Sequence, residues 1–211
     1  MRLRELLEAD AMGDIFGAQI DRAWEKDNER NQGTTNPFSF SVDPGAAPQT
    51  VDPARLGKGS VGYVAGYNQK TRNKPIDRRL MQVLKRAAAD AGVKVLIFSG
   101  GQDAKGSGTR RTGSTRHDNG LAADIYVYDG KGRQLSTRGD DPLVVNFVAA
   151  LKRAGAQGLG AHPGYMGGKG FHVDIVGTAQ GGGSMWGAGG KGKPPSTIAR
   201  AFTTGKGVDV A

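Results

Sequence analysis

No cysteine occurs in the 211 residues. Disulfides and thiolate metal ligands are therefore excluded, and thiols give no indication of the redox compartment. Histidine is almost as scarce. Three are present, so any imidazole chemistry falls to His117, His162 or His172. Aromatic residues make up 7% and hydrophobic residues 37% of the chain, below the usual apolar share, which limits the core to a modest size. No apolar run reaches membrane-spanning length, and none sits behind a basic start as in a secretory signal. The chain reads as made in the cytoplasm without a signal peptide, with no membrane insertion. Acidic residues are sparse in one region. Between Arg55 and Arg116 stand 14 Lys or Arg against 3 Asp or Glu, which accounts for the net charge of +9. Such a surplus attracts polyanions of any kind. No helix-turn-helix, RNP-like or zinc-finger pattern accompanies it, which weighs against nucleic acid. An anionic cell-wall polymer is an equally good partner, and a solvated face that keeps a glycine-rich chain in solution is the plainest reading.

What is abundant is glycine, at 35 residues, and it punctuates the chain. Residues 1–30 carry Leu3, Leu6, Leu7, Ile15, Phe16, Ile20 and Trp24 at near-helical spacing, an amphipathic helical segment suited to docking on a partner or a second copy. Residues 31–53 lack periodicity and read as a linker or extended arm. From 54 to 211 the pattern is that of one domain. The stripe Ile76, Leu80, Val83, Leu84 and Ala87 predicts a helix from Asp77 to about Ala91, closed by Gly92. Val93–Phe98 reads as a buried strand and Gln102–Arg116 as a long polar loop. A second helix is expected over Pro142–Ala154, with Asp141 as its N-cap. Gln157–Ala161 reads as a short strand and His162–Gly170 as a loop. Gly177–Pro195 reads as an irregular tail in which Trp186 folds back over the domain, followed by a short helix near Thr197–Phe202.

Two stretches carry chemistry. In the first, His117 and Asp124 lie seven residues apart around an Asn119-Gly120 turn, and β-formers from Ile125 to Tyr128 follow. This places His117 on a loop and Asp124 on a strand. In the second, Gly170–Ile175 is a short β-rich run that puts His172 on a neighbouring strand. Side chains two apart on a strand share a face, so Asp174 points with His172 while Phe171, Val173 and Ile175 face the core. Two imidazoles and one carboxylate, with a fourth position open, match the ligand pattern of a catalytic zinc. The expected metal ligands are His117, Asp124 and His172, and the expected cofactor is Zn2+.

The form His117-x-x-Gly120-x-Ala122-x-Asp124, followed by His172-x-Asp174 on a strand, resembles the zinc D-Ala-D-Ala carboxypeptidases and related phage peptidoglycan endopeptidases, the M15 or hedgehog-like peptidase family. Phe98-Ser99-Gly100-Gly101-Gln102 is similar to that family's strand-end Ser-Gly motif, and Gly158-Leu159-Gly160 to its glycine-rich strand before the final histidine. The resemblance spans roughly residues 75–190. Two departures stand out. Gly101-Gln102 occupies the place of the family's carboxylate-binding arginine, and Gly167-Gly168-Lys169-Gly170 the place of its acidic general base. His162 and Asp174 are the available substitutes for the catalytic base, and Arg110, Arg111 and Arg116, with Arg111 foremost, are the candidates to hold a carboxylate or oxyanion. Ser99, Gln102, Arg110, Arg116 and Tyr165 would bind substrate.

The expected fold class is α+β: a small, mostly antiparallel sheet carrying the zinc site, with helices on its other face and long glycine-rich loops. The expected function is that of a zinc metallopeptidase cleaving the peptide part of peptidoglycan, as a phage lysis or virion-associated protein acting on the bacterial wall. Two alternatives stand beside it. One is a non-catalytic metal-binding module for wall binding or virion assembly, and the other is a basic nucleic-acid-binding protein.

Overall fold

The computed structural model describes residues 50–64, 71–176 and 184–209. The chain divides into two units, Met1–Ala46 and Ala47–Ala211, and everything described below belongs to the second. The helical segment expected over residues 1–30 lies outside the described residues.

Among the described residues, seven strands form one sheet: β1 (Thr50–Val51), β2 (Val61–Val64), β3 (Lys94–Ser99), β4 (Ala122–Tyr128), β5 (Gly158–Gly160), β6 (Gly170–Asp174) and β7 (Ser184–Trp186). Their order is β1-β2-β3-β4-β6-β5-β7. The four central strands pair antiparallel throughout, whereas β1–β2, β2–β3 and β5–β7 pair parallel. The sheet is therefore mixed, not mostly antiparallel as the sequence suggested. The edges explain the difference. β1 comes from the end of the stretch read as an arm, and β7 from the tail read as irregular. Each has only two or three residues, too few to show alternation. A parallel neighbour needs a crossover connection, and β2 reaches β3 through a helix.

That helix, α1 (Arg78–Ala91), has Asp77 as its N-cap, accepting from the Arg79 N–H at 2.8 Å, and Gly92 in the left-handed conformation as its C-cap. The second, α2 (Pro142–Arg153), begins with Pro142 behind the Asp141 cap, where a residue without an N–H loses nothing. The third, α3 (Ser196–Thr204), is anchored by Thr197 Oγ1 donating to the Gly139 carbonyl at 2.8 Å. All three bury their apolar stripes in one core, α1 packing against α2 and α2 against α3. Leu80, Val83 and Leu84 of α1, Phe147, Val148 and Leu151 of α2, and Ile198 and Phe202 of α3 join Val95, Ile97, Ile125, Val127, Phe171 and Val173 in one core. Each such Leu or Phe stabilises the fold by about 1.5–3 kcal/mol relative to an exposed position. Since strand neighbours alternate, the residues between them, Asp124 and His172 among them, face the opposite side. No helix among the described residues is long and apolar enough to cross a membrane.

Candidate metal centre

The helix-free face holds the site, and the register places its parts. Asp124 of β4 lies directly opposite His172 of β6. A bulge between Ile97 and Ser99 brings Ser99 opposite Asp124 as well, so a side chain that plain alternation would aim at the helices shares the face of Asp124. His117 ends a single 3-10 turn, Thr115–His117, capped by Ser114. Asn119 and Gly120 follow with positive φ of 56° and 76° and turn the chain into β4. A Cβ on Gly120 would lie 2.6 Å from the Asp77 nitrogen, so only glycine allows this loop to pass so close to the start of α1.

His117, Asp124 and His172 form a buried group whose ligand atoms lie within 4.8 Å of one another, and the group can hold a metal ion. His117 Nδ1 stands 2.8 Å from the Gly100 carbonyl, which fixes the proton on that nitrogen because a carbonyl can only accept. Nε2 is buried and without a hydrogen-bond partner, 3.4 Å from Asp124 Oδ1. A nitrogen lone pair facing a carboxylate oxygen is unfavourable unless a cation or a proton lies between them. The donor set thus fits a metal ion. His172 presents Nδ1 to the same Oδ1 at 3.0 Å and its outer Nε2 to Asp174 Oδ2 at 3.1 Å. A carboxylate on the outer nitrogen is the usual way a metal-binding imidazole is oriented.

Burial alone would raise the Asp124 pKa, but the two imidazoles beside it, His117 and His172, outweigh it and hold the carboxyl well below the usual range. Burial likewise pushes the His172 imidazole down, and the Asp124 and Asp174 carboxylates more than reverse this, so its pKa is raised. Asp174 is fully buried, and its pKa is lowered: burial opposes ionisation, while His172, Arg116 and the Val176 N–H outweigh it. Arg116 Nη1 donates to Asp174 at 2.8 Å and Nη2 to Ser184 Oγ at 3.1 Å, with its guanidinium 5.0 Å over the Trp186 ring. Trp186 in turn lies 4.8 Å from the His172 ring. Two glycines of β5 make this possible. A Cβ on Gly158 would come 2.1 Å from Asp174 Oδ2, and one on Gly160 2.4 Å from Trp186 Nε1.

The remaining candidates divide. Ser99 Oγ is buried without a hydrogen-bond partner on the site's face. Tyr165 is hydrogen-bonded to Trp186 and within electrostatic reach of Asp124 and Arg72; burial dominates and raises its pKa, so the hydroxyl stays protonated at neutral pH. Gln102 is buried and fully used inside its own loop, donating to the Ser114 carbonyl and Asp118 and accepting from the Thr112 N–H. Arg111 also pairs with Asp118, so both serve to shape the Gln102–Arg116 loop. Arg110 is exposed on that loop. His162 accepts from the Gly164 N–H through Nδ1 at 2.8 Å, closing a local turn.

Two residues at the centre escaped the sequence reading. Arg72 Nη1 reaches Asp124 Oδ2 at 2.9 Å, from a segment with no periodicity to betray it. Trp186 was expected to cover the domain, but its place against His172 depends on a three-residue strand. A scan against family models, a search of curated proteins and a search of solved structures each found no match to this chain.

Proposed function

We propose that the chain is a zinc-dependent peptidase acting on the peptide part of peptidoglycan. The observation that carries this reading is the buried, unpartnered Nε2 of His117 facing Asp124 and His172. Its ligand pattern, two imidazoles and one carboxylate, is that of a catalytic zinc rather than a closed structural one. When bound, zinc supplies Lewis acidity toward a carbonyl and toward water. The protein's own groups do the rest. Asp174, 3.1 Å from the outer Nε2 of His172, would hold the proton on that nitrogen and leave Nδ1 to a bound metal. Arg116 holds Asp174 in place. Tyr165, whose hydroxyl stays protonated and which lies within electrostatic reach of Asp124, is the candidate donor to a developing oxyanion. The basic surplus between Arg55 and Arg116 suits an anionic wall, so the site of action would be the bacterial envelope, as for a phage lysis or virion-associated protein.

A second reading, a metal-binding wall or assembly module without hydrolysis, is favoured by one observation: Asp174 and the Nδ1 of His162 are both occupied by hydrogen bonds within the protein. One experiment separates the two. Purified protein should contain about one zinc per chain, lost in His117→Ala and His172→Ala, and should release soluble peptides from isolated wall sacculi until a chelator is added. Zinc without digestion supports the module. Full zinc retention by both variants refutes the centre itself.

A further inference from the structure

We propose that Arg72 is a positioning residue that commits Asp124 to a single oxygen facing the two imidazoles, an inference that rests on the metal reading above. Asp124 divides its oxygens. Oδ1 lies 3.0 Å from His172 Nδ1 and 3.4 Å from His117 Nε2, and Oδ2 lies 2.9 Å from Arg72 Nη1. A carboxylate left to itself can offer one or both oxygens to a cation. Here the second oxygen is taken by a charge-assisted hydrogen bond, the stronger kind, so Asp124 would offer a bound metal one oxygen, and the three residues would leave it a fourth, open position.

The backbone sets Arg72 for this task. Lys74 and Gly101 exchange N–H···O bonds of 3.0 and 2.9 Å, and the Gly100 N–H donates to the Arg72 carbonyl at 3.0 Å. The carbonyl of the same Gly100 accepts from His117 Nδ1. Gly100 therefore ties the Arg72 backbone on one side to the imidazole on the other. Gly101 must be glycine for the two segments to approach, because its Cβ would lie 2.6 Å from the Pro75 carbonyl oxygen. The guanidinium is covered too. Its side chain is 16% exposed, Nη2 lies 3.5 Å from the Thr112 carbonyl, and a Cβ on Gly113 would come within 2.6 Å of Nη2. The long loop thus closes over Arg72 and holds it on Asp124.

Cobalt(II) in place of zinc tests this, since its visible bands are strong in four-coordinate sites and weaken when a ligand is added. Cobalt-loaded wild type should show the strong bands. Arg72→Met, which frees Oδ2, should lose most of that intensity, and zinc X-ray absorption should gain an oxygen neighbour. Arg72→Lys keeps the charge without the planar fork and should fall between. Arg133→Met, at an exposed pair remote from the cluster, controls for loss of any surface arginine and should match wild type. Circular dichroism of the metal-free variants checks folding, and if Arg72→Met does not fold, the lysine variant decides. A wild-type spectrum in Arg72→Met, or in Arg72→Lys where only that variant folds, overturns the inference and leaves the metal centre standing. Wild-type protein that takes up neither ion overturns both.

Discussion

Replacing Gly158 with alanine adds one methyl group and removes no functional atom, yet it should disable the centre. The added Cβ would lie 2.1 Å from Asp174 Oδ2 and 2.5 Å from its Cγ, distances no pair of non-bonded atoms can keep. Gly158 and Asp174 face each other across β5 and β6, and β5 is paired on its other side with β7, so the backbone has little room to give. The carboxylate must turn away from His172, Arg116 and the Val176 N–H together. Breaking a buried ion pair costs about 3–5 kcal/mol. Arg116 keeps a quarter of its side chain exposed and can recover some hydration, and alanine is favoured over glycine in a strand by roughly 0.5–1 kcal/mol. A net loss of about 2–3 kcal/mol remains, or roughly 4–12 °C in Tm for a domain of this size. Zinc affinity should fall by about 10–100-fold, as when the outer partner of a ligand is removed. Denaturant unfolding and a competitive zinc titration measure the two effects. Gly57→Ala is the control, because its Cβ would meet nothing closer than 3.6 Å. If Gly158→Ala matches that control in both stability and affinity, Asp174 does not hold His172 as described.

Three further outcomes are expected. Gln102→Leu leaves the Thr112 N–H, the Ser114 carbonyl and Asp118 short of a partner, and should cost about 1–3 kcal/mol in urea unfolding; an unchanged midpoint would show that the loop does not depend on it. The raised pKa of His172 means that protons compete with metal from above the ordinary imidazole value of about 6.5. Zinc affinity should therefore fall as pH falls through that region, while the metal-free protein, whose charged His172 stabilises it at low pH, should lose stability as pH rises through the same point; a zinc dissociation constant flat across this range contradicts the assignment. If the basic surplus docks on wall polymer, binding to isolated sacculi should weaken steeply with salt, because exposed charges are screened within roughly 8–10 Å at physiological ionic strength; salt-indifferent binding assigns that surplus to solubility alone.

Local chemistry made much of this protein legible in its sequence. The capped, periodic segments Arg78–Ala91 and Pro142–Arg153 announce themselves because a helix needs only its own stripe, cap and stop. His117, Asp124 and His172 could be grouped because scarcity left few other imidazoles and because strand alternation fixes which neighbours share a face. The same alternation put Asp174 beside His172, but left open whether it faced water or the imidazole. Only the tertiary structure decided that, since Arg116 and Gly158 reach Asp174 from distant parts of the chain. It also decided the parallel edges of the sheet, because β1 and β7 are too short to carry a pattern and exist through pairing with a partner strand. Arg72 belongs to the same class. Nothing near it in sequence marks it, and its role arises where the Gly100–Gly101 backbone lets residue 72 reach a carboxylate 52 positions away. Periodicity and capping are short-range and survive in the sequence as spacing; the partner of a buried charge is set by close approach between segments, which spacing does not encode.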